Sequence, residues 1–288
     1  MRVLIHTPGR GIVVDGGRAV GVRTDSGIFH GRRVILATGG ASYPQTGSSG
    51  EGYRMAEELG HTIQPIRPSL VPLEIAEPDV RDLQGLALKN VRVTLRAGGQ
   101  KVGEEFGEML FTHFGVSGPI ILTLSGDAGD QIGRQKVELS IDFKPALSGE
   151  QVEARLIREL HAHQRKQIST ILTHLLPRRL VPIFIRRADL SADLKGTEVQ
   201  SAERKRLGRL LKDWRLTVRR PRPLEEAIVT AGGVSVNEIH PLTMESKKIK
   251  GLHFCGEMID VDGKTGGYNL QAAFSTGWVA GEAAAKES

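Results

Sequence analysis

The sequence predicts an α/β protein in which one α/β domain is interrupted by an inserted domain of strands followed by helices. Apolar strands that stop at glycines, each followed by a helix, occur near both ends of the chain. Two proline-rich crossings, at 65–75 and 217–227, enclose a region of alternating strands and then helical periodicity. We therefore predict the α/β domain at residues 1–71 and 225–288, and the insert at 72–224.

The amino-acid composition limits the classes of protein to which the chain can belong. The 288 residues are 39% hydrophobic and 25% charged, which predicts a buried core and argues against wholesale disorder. No apolar run reaches the roughly 18 residues of a membrane helix, and no secretory signal begins the sequence. The single cysteine, Cys255, excludes an internal disulfide or a Cys-x-x-Cys pair. We expect a cytoplasmic protein with no membrane partner, whose redox chemistry, if any, comes from a bound cofactor.

The first elements are predicted to be strands. "RVLIHT" and "GIVVDGGRAVGVRTDSGIFHG" carry turn signals between β-rich runs and predict a small antiparallel meander. Gly9 and Gly11 are interpreted as a hairpin turn, not a phosphate loop, because Val14 replaces the third glycine and β-branched residues follow. "VILATGG" then predicts a strand ending at Gly39 and Gly40, followed by a helix over 51–59.

The insert is predicted to begin after the first proline-rich crossing. Alternating strands and turns, including "LALKNVRVTLRAGGQKV" and "QKVELSIDF", continue to Phe143. Ser148 or Gly149 caps the first of several helices, which extend to about Trp214. The basic segment "TVRRPRPLEEA" is interpreted as the linker that returns to the α/β domain.

The closing segment combines a strand end with an unusual helix start. "GLHFCGEMID" predicts a buried strand that ends at Gly256 and Glu257, and "TGGYNLQAAFSTGWVAGEAAA" predicts a helix that begins after Gly266 and Gly267. A helix amino end exposes unpaired N–H groups and a partial positive charge, which attract anions or a polarised carbonyl. Small residues along the helix allow close packing on a sheet or cofactor. The alternative is an ordinary, tightly packed terminal helix.

The motifs together resemble a known family. "LATGGASYPQTGSSGEGYRMAEELGH", "PSLVPLE", "FTHFGVSGPIIL", "DWRL", "AIVTAGGV" and "TMESKKIKGLHFCGEMIDVDGKTGGYNLQAAFSTG" are similar to the BaiN/YhiN-type flavoprotein family. Its members include bile-acid reductase-like, aminoacetone oxidase-like and ribosomal RNA dihydrouridine synthase proteins. The resemblance implies a partial FAD-binding Rossmann-like domain interrupted by a β-barrel-like plus helical insert. It also implies FAD as cofactor, with NAD(P)H as the electron donor.

The resemblance assigns cofactor contacts to individual positions. On the adenosine or pyrophosphate side it implies Thr38, Gly39 and Gly40. Around the ribityl chain and the flavin ring it implies Gly256, Glu257, Asp260, Gly266, Gly267, Tyr268, Asn269, Leu270 and Gln271. A helix amino end near the flavin N1/O2 edge would stabilise the negative charge of the reduced ring. For Asp260 and Asp262, a simple role as turn residues stays open.

One family feature is missing from the sequence. The family opens with a strand, a GxGxxG-type turn and a helix that hold the FAD pyrophosphate. No such segment is present, so the chain is expected to be amino-terminally truncated relative to the family by at least one βαβ unit of ~30 residues. A fragment, a misassigned start and a genuine short form all remain open.

The substrate side offers three candidate catalytic residues. His113 and Ser117 lie in the insert loop "FTHFGVSGP", and Tyr43 follows the "ATGG" strand. A histidine titrates in the range that suits proton donation, although a structural role for His113 is the alternative. His161 and His163 are two residues apart and would point differently on a helix, so we predict no metal site.

Basic residues are concentrated in the helical part of the insert. Residues 151–222 contain 18 Lys and Arg against 7 Asp and Glu, whereas the whole chain carries a net charge of +6. This asymmetry predicts either a polyanionic partner such as ribosomal RNA or a solvated helical face. The RNA hypothesis singles out Arg178, Arg179, Arg186, Arg187, Arg206 and Arg219.

The sequence therefore favours a flavin-dependent oxidoreductase that reduces a carbon–carbon double bond. The preferred substrate is a uracil in ribosomal RNA. The alternatives are oxidoreduction of a small enone or amine, and a truncated chain that binds no FAD and catalyses nothing.

Overall fold

The computed structural model describes residues 2–286, and these form two compact units. The first unit comprises residues 2–71 and 223–286, and the second comprises Pro72–Arg222. The sequence places the boundaries at 71/72 and 224/225; the division in the structure falls at 71/72 and 222/223. The chain thus leaves the first unit, builds the second and returns.

The regular elements are numbered along the chain. The strands are β1 (Gly9–Asp15), β2 (Arg18–Thr24), β3 (Gly27–His30), β4 (Val34–Leu36), β5 (Ile63–Ser69), β6 (Leu73–Ile75), β7 (Ala87–Ala97), β8 (Gln100–Phe111), β9 (Gly115–Ser117), β10 (Val137–Asp142), β11 (Trp214–Pro221), β12 (Val229–Val234) and β13 (Leu252–Phe254). The helices are α1 (Glu51–Glu58), α2 (Pro119–Gln131), α3 (Gly149–Ala162), α4 (Ile168–Leu172), α5 (Val181–Arg187), α6 (Ser201–Lys212) and α7 (Tyr268–Lys286).

The amino-terminal meander is present, but it begins later than predicted. β1, β2 and β3 form an antiparallel sheet in that order. The predicted strand "RVLIHT" is wrong: residues 2–8 contain no strand, and the side chains of Val3 and Ile5 are exposed. The hairpin interpretation of Gly9 and Gly11 is also wrong, because both lie within β1 and pair with β2. Without a core to cover them, the apolar residues 3–5 gain little from extended pairing.

The first unit places two distant strand ends side by side. β4 and β13 pair in parallel, with Leu36 opposite Phe254. Both side chains are buried in a core that includes Tyr53 and Ala56 of α1. Parallel strands end at the same edge of a sheet, so the glycines after β4 and the Gly256–Met258 turn after β13 are brought to one edge. β5 and β12 form a separate antiparallel pair.

A buried polar network stabilises the far side of the same unit. The fully buried His61 ring contacts Glu238 through Nδ1 at 3.1 Å and Ser246 through Nε2 at 2.8 Å. The Glu238 carboxylate also accepts from the Thr62 backbone N–H at 2.9 Å and pairs with Lys248 at 2.7 Å. Burial opposes ionisation, but hydrogen bonds from Lys248 and Thr62 outweigh it and lower the pKa of Glu238 to about 2.

The second unit is a closed six-stranded barrel with helices. The strand order is β10-β11-β6-β9-β8-β7, and every described pairing within the barrel is antiparallel. α3 begins with a capping box, as Ser148 accepts from the Gln151 N–H and the Gln151 side chain accepts from the Ser148 N–H. The predicted cap at Ser148 is confirmed.

Two elements of this unit differ from the sequence prediction. α2 forms within a region predicted as strands and turns, because "PIILTL" is apolar enough for either state and packs here as a helix against β8. The segment interpreted as a return linker is in part the barrel strand β11. In β11 the buried residues Trp214, Leu216 and Val218 alternate with the exposed Arg215, the half-buried Thr217 and the exposed Arg219, which is the two-residue period of a half-buried strand.

Trp214 lies at the centre of the second core. Its ring centroid is 5.8 Å from that of Phe111 and 5.6 Å from that of Phe143, and the Arg187 guanidinium lies 4.8 Å over it. The indole Nε1 is buried and has no hydrogen-bond partner among residues 2–286. The tryptophan therefore contributes by packing, not by polar contact.

Replacing Trp214 should show how much this packing contributes. We expect Trp214→Ala to lower the free energy of unfolding by about 4 kcal/mol, because it opens a large cavity, and Trp214→Phe by less than about 2 kcal/mol. Urea unfolding followed by circular dichroism measures both. Trp278→Ala is the control, since that side chain is 73% exposed. An equal loss for Trp214→Ala and Trp278→Ala would contradict this account of the core.

The depressed pKa of Glu238 predicts how stability changes with pH. The folded-state pKa of Glu238, about 2, lies below the ordinary value of 4.5. The contribution of the carboxylate to the free energy of unfolding is therefore complete above pH 4.5 and is lost as the pH falls towards 2. Glu238→Gln should therefore be less stable than the wild type at pH 7, and the difference should shrink across that window. Urea unfolding at several pH values tests this. Glu58→Gln, which removes an exposed pair with Arg54, should show a much smaller difference.

Candidate functional site

A cavity of about 470 Å³ lies in the first unit beside the amino end of α7. The turn after β13 contributes Gly256 and Glu257, and the segment before α7 contributes Gly266 and Gly267. Apolar side chains such as Leu70 form much of the remaining wall. A mostly apolar cavity with a few backbone polar groups is typical of a site for a small molecule or cofactor.

The Glu257 carboxylate joins the two strand ends beside this cavity. Its Oε1 accepts from the Thr230 backbone N–H at 2.6 Å and from the Ser42 hydroxyl at 3.4 Å. The Glu257 carbonyl accepts from the Tyr53 hydroxyl at 3.1 Å. Thr230 in turn accepts from the backbone N–H groups of Ala41 and Ser42 at 2.8 and 3.0 Å. The loop after β4, the start of β12 and the turn after β13 are therefore held as one junction.

Gly40 is enclosed by this junction. A Cβ atom at that position would overlap Thr230 Oγ1 and would lie 2.9 Å from Glu257 Cδ. Gly39 adopts a φ of +77°, a left-handed conformation that side chains rarely take. The glycine pair in the loop after β4 is thus required by close approach and by backbone geometry.

The segment before α7 is folded back by Asn269. Its Oδ1 accepts from the Gly263 N–H at 2.8 Å, and its Nδ2 donates to the Gly263 carbonyl at 2.9 Å. Gly266 and Gly267 have φ values of +119° and +87°, so the chain can turn sharply into the helix. The Asn269 side chain therefore positions the loop, while its backbone belongs to the first turn of α7.

The amino end of α7 borders the cavity. Gln271 makes a backbone hydrogen bond to the Gly267 carbonyl at 2.9 Å, so the preceding N–H groups lack intrahelical partners. Gly267, Asn269 and Leu270 line the cavity. Thr276 fastens the helix to the strand end by accepting from the Gly256 N–H at 2.9 Å. This arrangement can stabilise a negatively charged or electron-rich group in the cavity.

The structure brings together half of the cofactor residues that the resemblance implies. Those that line the cavity are Gly256, Glu257, Gly266, Gly267, Asn269 and Leu270. Those outside its lining are Thr38, Gly39, Gly40, Asp260, Tyr268 and Gln271. Burial raises the pKa of Asp260, with the Arg67 charge opposing and the Asp262 charge adding to it. All twelve positions stay predictions as cofactor contacts.

The apolar wall of the cavity was not identified from the sequence. It comprises Leu70, Ile228, Val229, Ile259, Val261, Ala272 and Ala273. "AIVTAGGV" signals a strand but does not show which apolar side chains turn towards a ligand. The wall forms because β12 and α7 converge on the turn after β13, which is a tertiary event.

α7 is less covered than its small residues suggest. Ala280 is its only buried residue among those described, whereas Leu270, Phe274 and Trp278 are exposed along one face. The prediction that small residues pack this helix closely therefore holds at Ala280, whereas Ala273 and Gly277 are half-buried. Within residues 2–286, no helix is both long and apolar enough to cross a bilayer.

The three candidate catalytic residues are distributed over both units. His113 and Ser117 belong to the second unit, where His113 packs edge-to-face on Phe114 at 4.9 Å. Tyr43 belongs to the first unit, is 42% exposed and adopts a φ of +49° before a short 3₁₀ turn. Tyr43 does not line the cavity. Their catalytic roles remain predictions.

Several arginines of the predicted RNA surface make structural contacts. Arg187 forms a bidentate pair with Asp79 at 3.0 Å. Arg179 and Arg206 donate to backbone carbonyls at 2.6 to 2.8 Å. Arg178, Arg186 and Arg219 complete the predicted set; Arg186 is exposed and lies 3.8 Å from Asp79. RNA binding by all six remains a prediction.

The structure also assembles a cluster that the histidine spacing did not indicate. Ligand atoms of Glu159, His163 and His174 lie within 4.8 Å of one another. His174 Nδ1 donates to Glu159 Oε2 at 2.8 Å, and Arg155 pairs with Glu159 Oε1 at 2.7 Å. The spacing of His161 and His163 in the sequence does not reveal this cluster, because its third member, His174, lies in a later segment of the chain.

The tight packing around Gly40 leads to a test of the junction. We expect Gly40→Ala to lower stability by about 2 kcal/mol, because the methyl group overlaps Thr230 and crowds Glu257. Gly277→Ala in α7 is the control, since nothing lies within 4 Å of its added Cβ; helix propensity predicts a gain of about 1 kcal/mol. Thermal unfolding measures both changes. A Gly40→Ala protein as stable as the wild type would show that the junction is loose.

Comparison with known proteins identifies the family to which this chain belongs. The HI0933-like protein barrel and H2TH domain matches residues 67–229. The 3-dehydro-bile acid delta(4,6)-reductase of Clostridium scindens is 33% identical over 266 residues, which cover 92% of this chain and 65% of that protein. The ribosomal RNA dihydrouridine synthases of Escherichia coli and Haemophilus influenzae are 34% and 33% identical over 248 residues each.

The chain spans about 65% of the length of the reductase and 59% of each synthase. The matched domain covers more than half of the chain and coincides with the second unit plus short flanks. The chain belongs to the HI0933-like family of BaiN- and RdsA-type proteins.

Proposed function

We propose that the first unit binds FAD with the flavin ring in the cavity beside α7, and that the protein reduces a carbon–carbon double bond. The observation that carries this proposal is the amino end of α7 facing a mostly apolar cavity, in a chain of a flavoprotein family. NAD(P)H is proposed as the electron donor to FAD.

The residues present fit a flavin ring. A cavity of 470 Å³ lies in the range of about 300–1,000 Å³ usual for ligand sites. Its apolar walls suit a flat aromatic system, and the glycines before α7 let a ring approach the backbone. The partial positive charge of the helix end favours electron density at that edge of the ring. Thr38, Gly39 and Gly40, outside the cavity, are proposed to contact the adenosine or pyrophosphate part.

Reduced FAD would supply a hydride to one carbon of the substrate double bond. The second carbon then takes a proton, so that one hydride and one proton add across the bond. His113, Ser117 and Tyr43 are the proposed sources of that proton, and a histidine suits this role because it exchanges protons near neutral pH. Asn269 and Thr276 hold the amino end of α7 in place beside the cavity.

The proposed substrate is a uracil in ribosomal RNA. Two relatives are named ribosomal RNA dihydrouridine synthases, and the segment 151–222 is strongly basic. RNA binding through basic residues would bring the base to the reductive site.

A second candidate is a small molecule containing a conjugated double bond. The relative named 3-dehydro-bile acid delta(4,6)-reductase favours this reading. Incubating the protein with FAD, NAD(P)H and either ribosomal RNA or a small enone distinguishes the two. Dihydrouridine formation supports RNA, whereas consumption of the enone without change in the RNA supports the small molecule.

The cavity assignment can be tested before any substrate is known. Ala273→Glu places a carboxylate on the cavity wall and should weaken FAD binding more than tenfold, because it fills space and repels the electron-rich ring. Ser275→Glu is the matched control: it adds the same charge to the same helix at an exposed position. Flavin fluorescence during titration of the protein measures both affinities.

Circular dichroism confirms that both variants are folded. Equal FAD affinities for Ala273→Glu and Ser275→Glu would place the flavin elsewhere. An unmodified protein that binds no FAD at all would support the remaining alternative, a chain without flavin chemistry.

A further inference from the structure

Two neighbouring cavities of the second unit share Lys144 and Leu147. They measure about 610 and 680 Å³. One is lined on its helical side by Arg155 and Arg158 of α3, and the other on its strand side by Arg92 and Phe106 of the β7–β8 hairpin. We call this surface the Lys144 face and define it by Lys89, Arg92, Phe106, Lys144, Arg155 and Arg158.

We propose that the Lys144 face binds a single-stranded segment of RNA, with phosphates at Lys144, Arg155 and Arg158 and a base stacked on Phe106. The choice of RNA rests on the proposed function; the combination of cations with an exposed aromatic ring is a property of the surface itself. Single-stranded nucleic acids are commonly bound by a basic groove together with aromatic rings on which bases stack.

Among residues 2–286 the Lys144 ammonium group forms no ion pair, and the nearby Asp142 pairs with Lys212. The Lys144 side chain is half-buried just after β10. Burial, followed by the neighbouring Arg155 charge, lowers the pKa of Lys144. The nearby Asp142 is engaged elsewhere, since its carboxylate pairs with Lys212 at 2.6 Å and accepts from the Lys144 backbone N–H. A bound phosphate would supply the missing negative charge.

α3 extends the positive charge along one helical face. Gln151, Arg155 and Arg158 are spaced four and three residues apart, so their side chains lie on the same side of the helix. Arg155 pairs with Glu159 at 2.7 Å but remains 44% exposed, and Arg158 is exposed. Two guanidinium groups are thus available to oxygen atoms of a backbone phosphate.

The strand side supplies the aromatic platform. Phe106 is 58% exposed and lies directly opposite Arg92 in the β7–β8 register. The register shifts between Leu88 and Val91, where Asn90 adopts a φ of +55°, and such a bulge changes the direction of the strand. Lys89 next to it is exposed and lies 3.8 Å from Glu108. A base stacked on the exposed Phe106 ring would remove that apolar surface from water. The nearby cations would bind the phosphates that connect the bases.

The charges of this surface favour an anion over a metal ion. The Glu159–His163–His174 cluster adjoins it through His174. Lys144, Arg155 and Arg158 oppose a further cation, and the Glu159 carboxylate already pairs with Arg155 and contacts His174. The same three positive groups attract a phosphate.

The test measures binding of a fluorescein-labelled, single-stranded 12-nucleotide RNA of mixed sequence to the full chain. Lys144→Ala and Arg158→Ala should each weaken binding about fivefold and reduce the slope of log affinity against log salt by about 0.7. Phe106→Ala should weaken binding about tenfold with an unchanged slope, because it removes stacking and no charge. Lys101→Ala is the control.

Lys101 suits this purpose because it lies on the same strand as Phe106, pairs with Glu104 at 3.0 Å and is outside both cavities. Its loss also removes one positive charge, so a general effect of net charge would appear in this variant too. We expect its affinity to stay within twofold of the wild type. Wild-type affinity in Lys144→Ala, Arg158→Ala and Phe106→Ala would overturn the proposal.

Two further results would also overturn it. If Arg178→Ala and Arg219→Ala weaken binding while the variants of the Lys144 face do not, the RNA surface lies with the arginines predicted from the sequence. If Lys144→Ala weakens binding of inorganic phosphate but Phe106→Ala leaves RNA binding unchanged, the cavity is a small-anion site. FAD titration of the same preparations keeps the proposals separate: RNA binding without FAD binding contradicts the flavin proposal and leaves the Lys144 face standing.

Discussion

The Glu257 carboxylate organises the first unit around its cavity. It accepts from the Thr230 N–H and the Ser42 hydroxyl, and so connects the loop after β4 with the start of β12 and its own turn after β13. Each of these segments is too short to be stable alone, since β4 and β13 contain three residues each. Connecting them through one half-buried acid fixes the strand ends, and with them the wall against which α7 begins.

The position of α7 follows from that junction. Thr276 accepts from the Gly256 N–H, so the helix is tied to the turn that Glu257 holds, and Asn269 closes the preceding loop. The helix end is therefore fixed in place before any ligand arrives, and its N–H groups need little rearrangement to stabilise charge. The exposed Leu270, Phe274 and Trp278 show that the helix is positioned by these polar contacts and by its short contact with β13, not by extensive burial.

Short sequence motifs predicted those elements whose structure depends mainly on residues close to them in the chain. The turns of the meander, the α1 helix before Gly60 and the Ser148 cap depend on neighbouring residues and were recognisable. α2 and β11 were not, because their states depend on packing against the barrel. At the candidate site, the glycines and Glu257 stand out in the sequence, whereas Ile228 and Ala273 become cavity walls only when distant segments meet.

The distribution of charge in the second unit shows why a count of basic residues along the sequence is a poor guide to the position of an RNA-binding surface. Arg187 pairs with Asp79 and stacks on Trp214, so its positive charge is largely balanced by a carboxylate of the same fold. Lys144 lies just before the most basic segment, yet it forms no ion pair among residues 2–286. The free energy available to an incoming phosphate depends on charge that the fold leaves uncompensated. By that criterion we place the proposed RNA surface at the half-buried Lys144, with the exposed Arg158 and Phe106 nearby, and not at arginines such as Arg187 whose charge a carboxylate already balances.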